Sequence, residues 1–304
     1  MGYRIVSMDG GGLRGVITAK LLERLEIAHP GFLSQVDLFA GTSTGGILAL
    51  GLAAGLTPAR LMQLYTGAAA KVFADSLWDD VRDLVKLTGA DYSNQHLKEA
   101  ILDLIGEITL GDLEKRVVIS SFELDNNPQT PDVPRTWKPK FFHNFPGDDS
   151  DADQKVVDVA LRTSAAPAYF PIYQGYVDGG VVANNPSMCA LAQALSPDLG
   201  GQQLEQVTLL SFGTGINAKY LSEKDADWGL VQWAPHLFGM MIEGGVGVPD
   251  YQCRQIMGER YLRVDPVLPT YIDIDNVDQI PLCEEIGQTA DLRAAVEWLG
   301  RYYQ

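Results

Sequence analysis

Residues Gly41-Thr42-Ser43-Thr44-Gly45 fit G-x-S-x-G, the pattern of a serine carried on a sharp turn from strand to helix. The apolar run VDLFA precedes it and the small-residue run GGILALGLAAGL continues from Gly45. In such a turn, side chains at the two glycine positions would collide with neighbouring elements. Ser43 is left at the tip, beside a helix N-terminus that favours developing negative charge. The chemistry this suits is nucleophilic attack, which needs a base to take the hydroxyl proton.

A histidine following a late acid would be the usual base. The chain has four histidines, and none is well placed for that role. His29 sits in a helix-ending His-Pro-Gly, His96 in a helix, His143 in a strand and His236 in a Trp- and Met-rich helical stretch. Asp178, in Gly175-Tyr176-Val177-Asp178-Gly179-Gly180, is the other candidate. On its own an Asp-Gly-Gly reads as a turn. As a base, a carboxylate with a pKa near ~4 is a poor match to a serine hydroxyl, so burial would have to raise it.

A second glycine-rich segment, Asp9-Gly10-Gly11-Gly12-Leu13-Arg14-Gly15, also follows a strand and opens a helix. A dinucleotide loop would require an acid at the end of the second strand, where the serine turn stands instead. A phosphate-binding P-loop would require Gly-Lys-Ser/Thr, which is absent. The remaining reading is an oxyanion loop at Gly10, Gly11 and Gly12, with the N–H groups of Gly11 and Gly12 the foremost donors. Arg14 is expected either to steady that loop or to meet a substrate phosphate.

The elements that must position these residues alternate between strand and helix. Strands are expected at Tyr3–Met8, Val36–Ala40, Arg116–Phe122, Lys140–Asn144, Gln174–Val177, Val207–Phe212 and near Tyr261–Val264. Helices are expected at Val16–Ala28, from the serine turn to about Ala54, from Pro58, at Trp78–Leu87, Asn94–Ile105, Val156–Arg162 and Asn185–Leu195, and from about Glu284 to Tyr302. This alternation predicts a three-layer α/β/α fold with a mainly parallel central sheet, as one domain over residues 1–304.

Hydrophobic residues make up 46% of the 304, enough for a large core, and the net charge of −16 argues against nucleic-acid binding. Cys189, Cys253 and Cys283 lack zinc spacing and read as reduced thiols. No metal or cofactor motif is visible, and the acidic run from Gly147 to Asp153 lacks the spacing of a calcium loop. With no leader and no span-length apolar run, a soluble cytoplasmic protein is expected, able to lie peripherally on a membrane.

Taken together, DGGGLRG from Asp9, GTSTGG from Gly41 and DGG from Asp178 resemble, in order, the three motifs of the patatin-like phospholipase family. RTSAAPAYFP, VVANNP and LLSFGTG strengthen the likeness, which is close from about Tyr3 to Gly215. The resemblance implies a Ser43–Asp178 dyad without a catalytic histidine, calcium-independent lipid acyl hydrolysis, and a phospholipid or other lipid substrate. An acyltransferase on the same site, or a storage protein with a vestigial site, are the alternatives. A homo-oligomer and a small-molecule activator are both left open. Trp228 to Gly247 is expected to be a buried core helix first, and a flap, a lipid-contacting surface or a subunit contact second.

Overall fold

The computed structural model describes residues 2–65, 94–128, 130, 132–217 and 227–303. The helix expected at Trp78–Leu87 lies outside them. A seven-stranded sheet runs β4-β3-β2-β1-β6-β7, with β5 paired to β3 off this path. The strands are β1 (Tyr3–Met8), β2 (Leu38–Thr42), β3 (Arg116–Glu123), β4 (Lys138–His143), β5 (Tyr176–Asp178), β6 (Val207–Phe212) and β7 (Tyr261–Val264). β3, β2, β1, β6 and β7 pair in parallel, whereas β4 and β5 run antiparallel to β3.

The strands alternate between two cores, as a sheet covered on both faces requires. Val6, Met8, Phe39, Val117, Ile119, Leu210 and Phe212 face one core, which takes in α1 (Gly15–Ala28) and α2 (Thr44–Ala53). Ile5, Leu38, Ala40, Val118, Val207 and Leu209 face the other, which takes in the helices Ser187–Leu195 and Gly247–Met257. This is the expected α/β/α sandwich. Among the described residues no helix is long and apolar enough to cross a membrane. All three cysteines are free.

Strand ends shift by a residue or two, and two helix boundaries differ from the sequence reading for local reasons. The closing helix is two, Ile280–Thr289 and Arg293–Tyr302. Ala290 is extended (φ −53°, ψ 141°), and the Asp291 carboxylate accepts the Arg293 N–H at 3.0 Å, starting a new helix. The helix expected from Asn185 starts at Ser187, because Pro186 disfavours helical backbone at Asn185, whose side chain instead accepts the Ser187 N–H at 3.0 Å.

Strand order places two loops side by side. β1 has β2 on one edge and β6 on the other, so the chain's course reverses at β1. Crevices at such a reversal, beyond the carboxyl ends of the strands, are where open α/β sheets bind ligands. The glycine loop leaves β1 there, and Gly213-Thr214-Gly215 leaves β6 beside it, since Met8 and Phe212 are register partners.

Candidate active site

Ser43 stands between β2 and α2 at φ 54° and ψ −123°, a conformation that costs a non-glycine residue about 1–3 kcal/mol. The surroundings hold it there. A Cβ on Gly41 would lie 2.1 Å from the Gly45 carbonyl oxygen, and one on Gly45 would lie 2.3 Å from that of Met8. Both glycines of the motif are therefore required by close backbone approach. The helix that follows is buried throughout, so the turn has no room to relax.

Asp178 reaches Ser43 through strand pairing. β4 occupies one edge of β3 along Ser121–Glu123, so β5, which also pairs there, lies on the edge that β2 uses. On that edge β2 ends at Thr42 opposite Ser120, and antiparallel β5 ends at Asp178 opposite Ser121. The two strands meet end to end, one β3 residue apart. Thr163 and Ala165 bridge the junction. The Thr163 hydroxyl accepts the Ser43 N–H at 2.9 Å and donates to the Ser120 carbonyl at 2.6 Å. The carbonyls of Thr163 and Ala165 accept the N–H groups of Gly179 and Asp178 at 3.3 and 2.9 Å.

Asp178 is buried, 3% exposed, and its carboxylate accepts the Gly180 N–H at 2.7 Å. Burial pushes its pKa up to about 6, against hydrogen bonds from the Ser43 hydroxyl and the Gly180 N–H that favour the ionised form.

In the glycine loop the structure separates residues that the sequence grouped. The Gly10 N–H donates to the Asn184 carbonyl at 3.1 Å, so Gly10 is corrected from oxyanion donor to loop anchor. Gly11 and Gly12 line the same cleft as Ser43 and Asp178, and neither N–H has an acceptor among the described residues. A Cβ on Gly11 would strike the Thr214 hydroxyl at 2.1 Å, and Gly12 has a φ of +57° against the Ile274 carbonyl. Arg14 faces away from that cleft. It is 97% buried in a neighbouring cavity, with Nη2 3.0 Å from Glu243. Its ion-pair partner is thus on the turn Met240–Gly244, and it does not line the Ser43 cleft.

The Ser43 cleft is walled mainly by apolar side chains, including Leu13, Ile47, Leu64, Phe170, Ile242 and Ile274. None of the four histidines lines it. His143 is buried beside Asp149, and His236 stacks on Trp228 at the other cavity. Among the described residues no three His, Cys, Asp or Glu side chains converge to hold a metal ion.

Among the described side chains of the stretch from Trp228 to Gly247 only Ile242 is buried, which departs from the buried-core expectation. The helix Leu230–Gly239 runs into a π-helical turn, Met240–Gly244. Leu237, Met240 and Met241 are exposed by 45, 52 and 48%, while Ile242 points inward and lines the cleft. Three site residues went unassigned in the sequence: Thr163, Asn184 and Thr214. Their segments were visible as RTSAAPAYFP, VVANNP and LLSFGTG, but a hydroxyl or amide without a partner in view names no role.

The Patatin-like phospholipase family profile matches residues 6–191. CotR of Bacillus subtilis, named as a sporulation hydrolase, is 32% identical over 98% of this chain and 97% of its own. A cGAMP-activated phospholipase of Pseudomonas aeruginosa is 32% identical over 86% of this chain and 78% of its own. One of Escherichia coli is 38% identical over 78% and 69%. On these matches and this fold, the chain belongs to the patatin-like phospholipase family, whose general activity is lipid acyl hydrolysis.

Proposed function

We propose that the protein cleaves fatty-acyl esters, of phospholipase A or lysophospholipase type, through Ser43 and Asp178 without calcium. The observation that carries this reading is the end-to-end meeting of β2 and β5, which sets a buried, near-neutral carboxyl against a strained serine. Asp178 takes the Ser43 proton as Oγ attacks the ester carbonyl carbon. The carbonyl oxygen becomes an oxyanion facing the N–H groups of Gly11 and Gly12. Collapse breaks the ester C–O bond, and the leaving alcohol takes the proton from Asp178. Water, deprotonated by Asp178, then attacks the acyl-enzyme; the fatty acid leaves and Ser43 recovers its proton.

The apolar cleft suits the acyl chain, and exposed Leu237, Met240 and Met241 precede Ile242, which lines its wall, a run suited to lipid contact. With a net charge of −16, zwitterionic or neutral lipid is the favoured surface. The test compares wild type, Ser43→Ala and Asp178→Asn for fatty-acid release from mixed phospholipids and neutral esters without calcium. Each substitution is expected to cost at least about a thousandfold in kcat while the fold is kept. An Asp178→Asn enzyme of wild-type activity, or a wild type that releases no fatty acid, would overturn the proposal.

A further inference from the structure

The Gly10 carbonyl accepts two side-chain hydrogen bonds, from Asn184 Nδ2 at 3.3 Å and from Thr214 Oγ1 at 3.2 Å. That carbonyl belongs to the peptide unit whose N–H is that of Gly11. A trans peptide is planar, with its C=O and N–H pointing in opposite directions. Fixing the Gly10 oxygen from behind therefore fixes the Gly11 N–H in front, and Gly11 lines the cleft that holds Ser43 and Asp178. We propose that Asn184 and Thr214 are positioning residues for the reaction, which aim and polarise the Gly11 N–H as oxyanion donor. This rests on the Ser43–Asp178 reading above and adds to it two side chains behind the Gly10 carbonyl, of which Asn184 also lines the Ser43 cleft and Thr214 does not.

Both tethers are firmly held. Asn184 and Thr214 are 7 and 5% exposed. Asn184 holds the residue Gly10 at both its N–H and its C=O, because its own backbone carbonyl also accepts the Gly10 N–H at 3.1 Å, and its amide further donates to the Ile242 carbonyl at 2.9 Å. Thr214 stands between two anchored glycines. Gly213 donates to the Val264 carbonyl at 3.0 Å and accepts from the Thr18 hydroxyl at 3.0 Å, while Gly215 donates to Asp265 at 2.9 Å. The close fit of Gly11 against Thr214 leaves the loop no other position. A carbonyl that accepts two bonds also makes the N–H of its own peptide a stronger donor, since hydrogen bonds in a chain polarise one another.

Losing an oxyanion donor outright costs about 10²–10³ in rate, so weakening the support of one should cost less. Thr214→Val removes the hydroxyl at constant shape and is expected to lower kcat on a soluble ester about tenfold with KM nearly unchanged. Thr214→Ser restores the hydroxyl and should restore kcat. Asn184→Ala should lower kcat at least as far, and the double variant by about a hundredfold. A trifluoromethyl ketone, which forms an oxyanion adduct with Ser43, should bind more weakly by the same factors. An ether lipid, which has no carbonyl, should bind Thr214→Val, whose site lies outside the cleft lining, as it binds wild type. A Thr214→Val enzyme with wild-type kcat would overturn the proposal, as would a Thr214→Ser enzyme as slow as the valine variant. So would ether-lipid affinity falling in step with kcat. Failure of the dyad would instead appear as undiminished turnover in Asp178→Asn, so the two are told apart.

Discussion

Asp9 and Asp178 each stand at the end of a strand, each is followed by Gly-Gly, and each is almost completely buried. Their surroundings make them opposites. Asp9 faces the Arg263 guanidinium, whose Nη2 lies 2.6 Å from one of its oxygens and 2.7 Å from Asp265. Burial pushes Asp9 up to about 7 against the pull of Arg263, and Arg263, although burial works against its charge, is held well above its ordinary value by the two carboxylates. Among the described residues Asp178 has no such cation; it is met by a serine hydroxyl and one backbone N–H. One Asp-Gly-Gly is thus paired with a cation, and the other is the one we propose exchanges a proton. The tripeptide sets the backbone turn, and the partner across the gap sets the chemistry.

The comparison is tested most strongly at the Asp9–Arg263 pair. Asp9→Asn removes one of the two charges that compensate buried Arg263, and breaking a buried pair from one side costs about 3–5 kcal/mol. Urea unfolding at pH 9, above the value of about 7 to which burial raises Asp9, should show a loss of that order. An unfolding midpoint equal to wild type would mean that Asp9 contributes no net pairing, and the contrast with Asp178 would collapse.

Asp178→Asn should move stability the other way. The native carboxyl has its pKa raised from 3.8 to about 6, so the folded protein holds this proton more tightly than the unfolded chain. Its contribution is therefore full below about pH 4 and lost as the pH rises through about 6. Above that, keeping the group ionised costs about 2–3 kcal/mol, at roughly 1.4 per pH unit. Asparagine carries no charge to bury. The variant should thus be inactive yet more stable than wild type at pH 8, with the gain shrinking towards pH 4. Destabilisation at pH 8 would show that the carboxylate is held as firmly as Asp9.

How much of this was legible in the sequence follows from the range of each interaction. The serine turn, the glycine loop and the parallel sheet come from local patterns, because steric demands at Gly41 and Gly45 and the alternation of apolar residues act over a few positions. The occupant of the Gly10 N–H was not legible: its acceptor, Asn184, is brought up only by the packing of β5 against β3. Arg14 gave a charge and a position, but its partner Glu243 lies on a surface turn far along the chain. The run from Trp228 misled because apolar composition alone does not distinguish a core helix from an exposed one. Even here Ile242 turns inward while Met240 and Met241 stay out.

The pH dependence of turnover is the gentlest probe and bears directly on which aspartate acts as base. Under the proposed mechanism Ser43 needs Asp178 ionised, so kcat/KM on a soluble ester should rise about tenfold per pH unit up to an inflection near 6, then level. The sign follows from the direction of the shift: burial raises the pKa, so activity is lost on the acid side and over a range where an ordinary aspartate would still be charged. Asp9→Asn should leave the inflection in place, since Asp9 does not line the Ser43 cleft and its carboxylate is turned to Arg263. An inflection that disappears in Asp9→Asn would exchange the two roles, and one near pH 4 would mean that the Ser43 pocket is wetter than its packing implies.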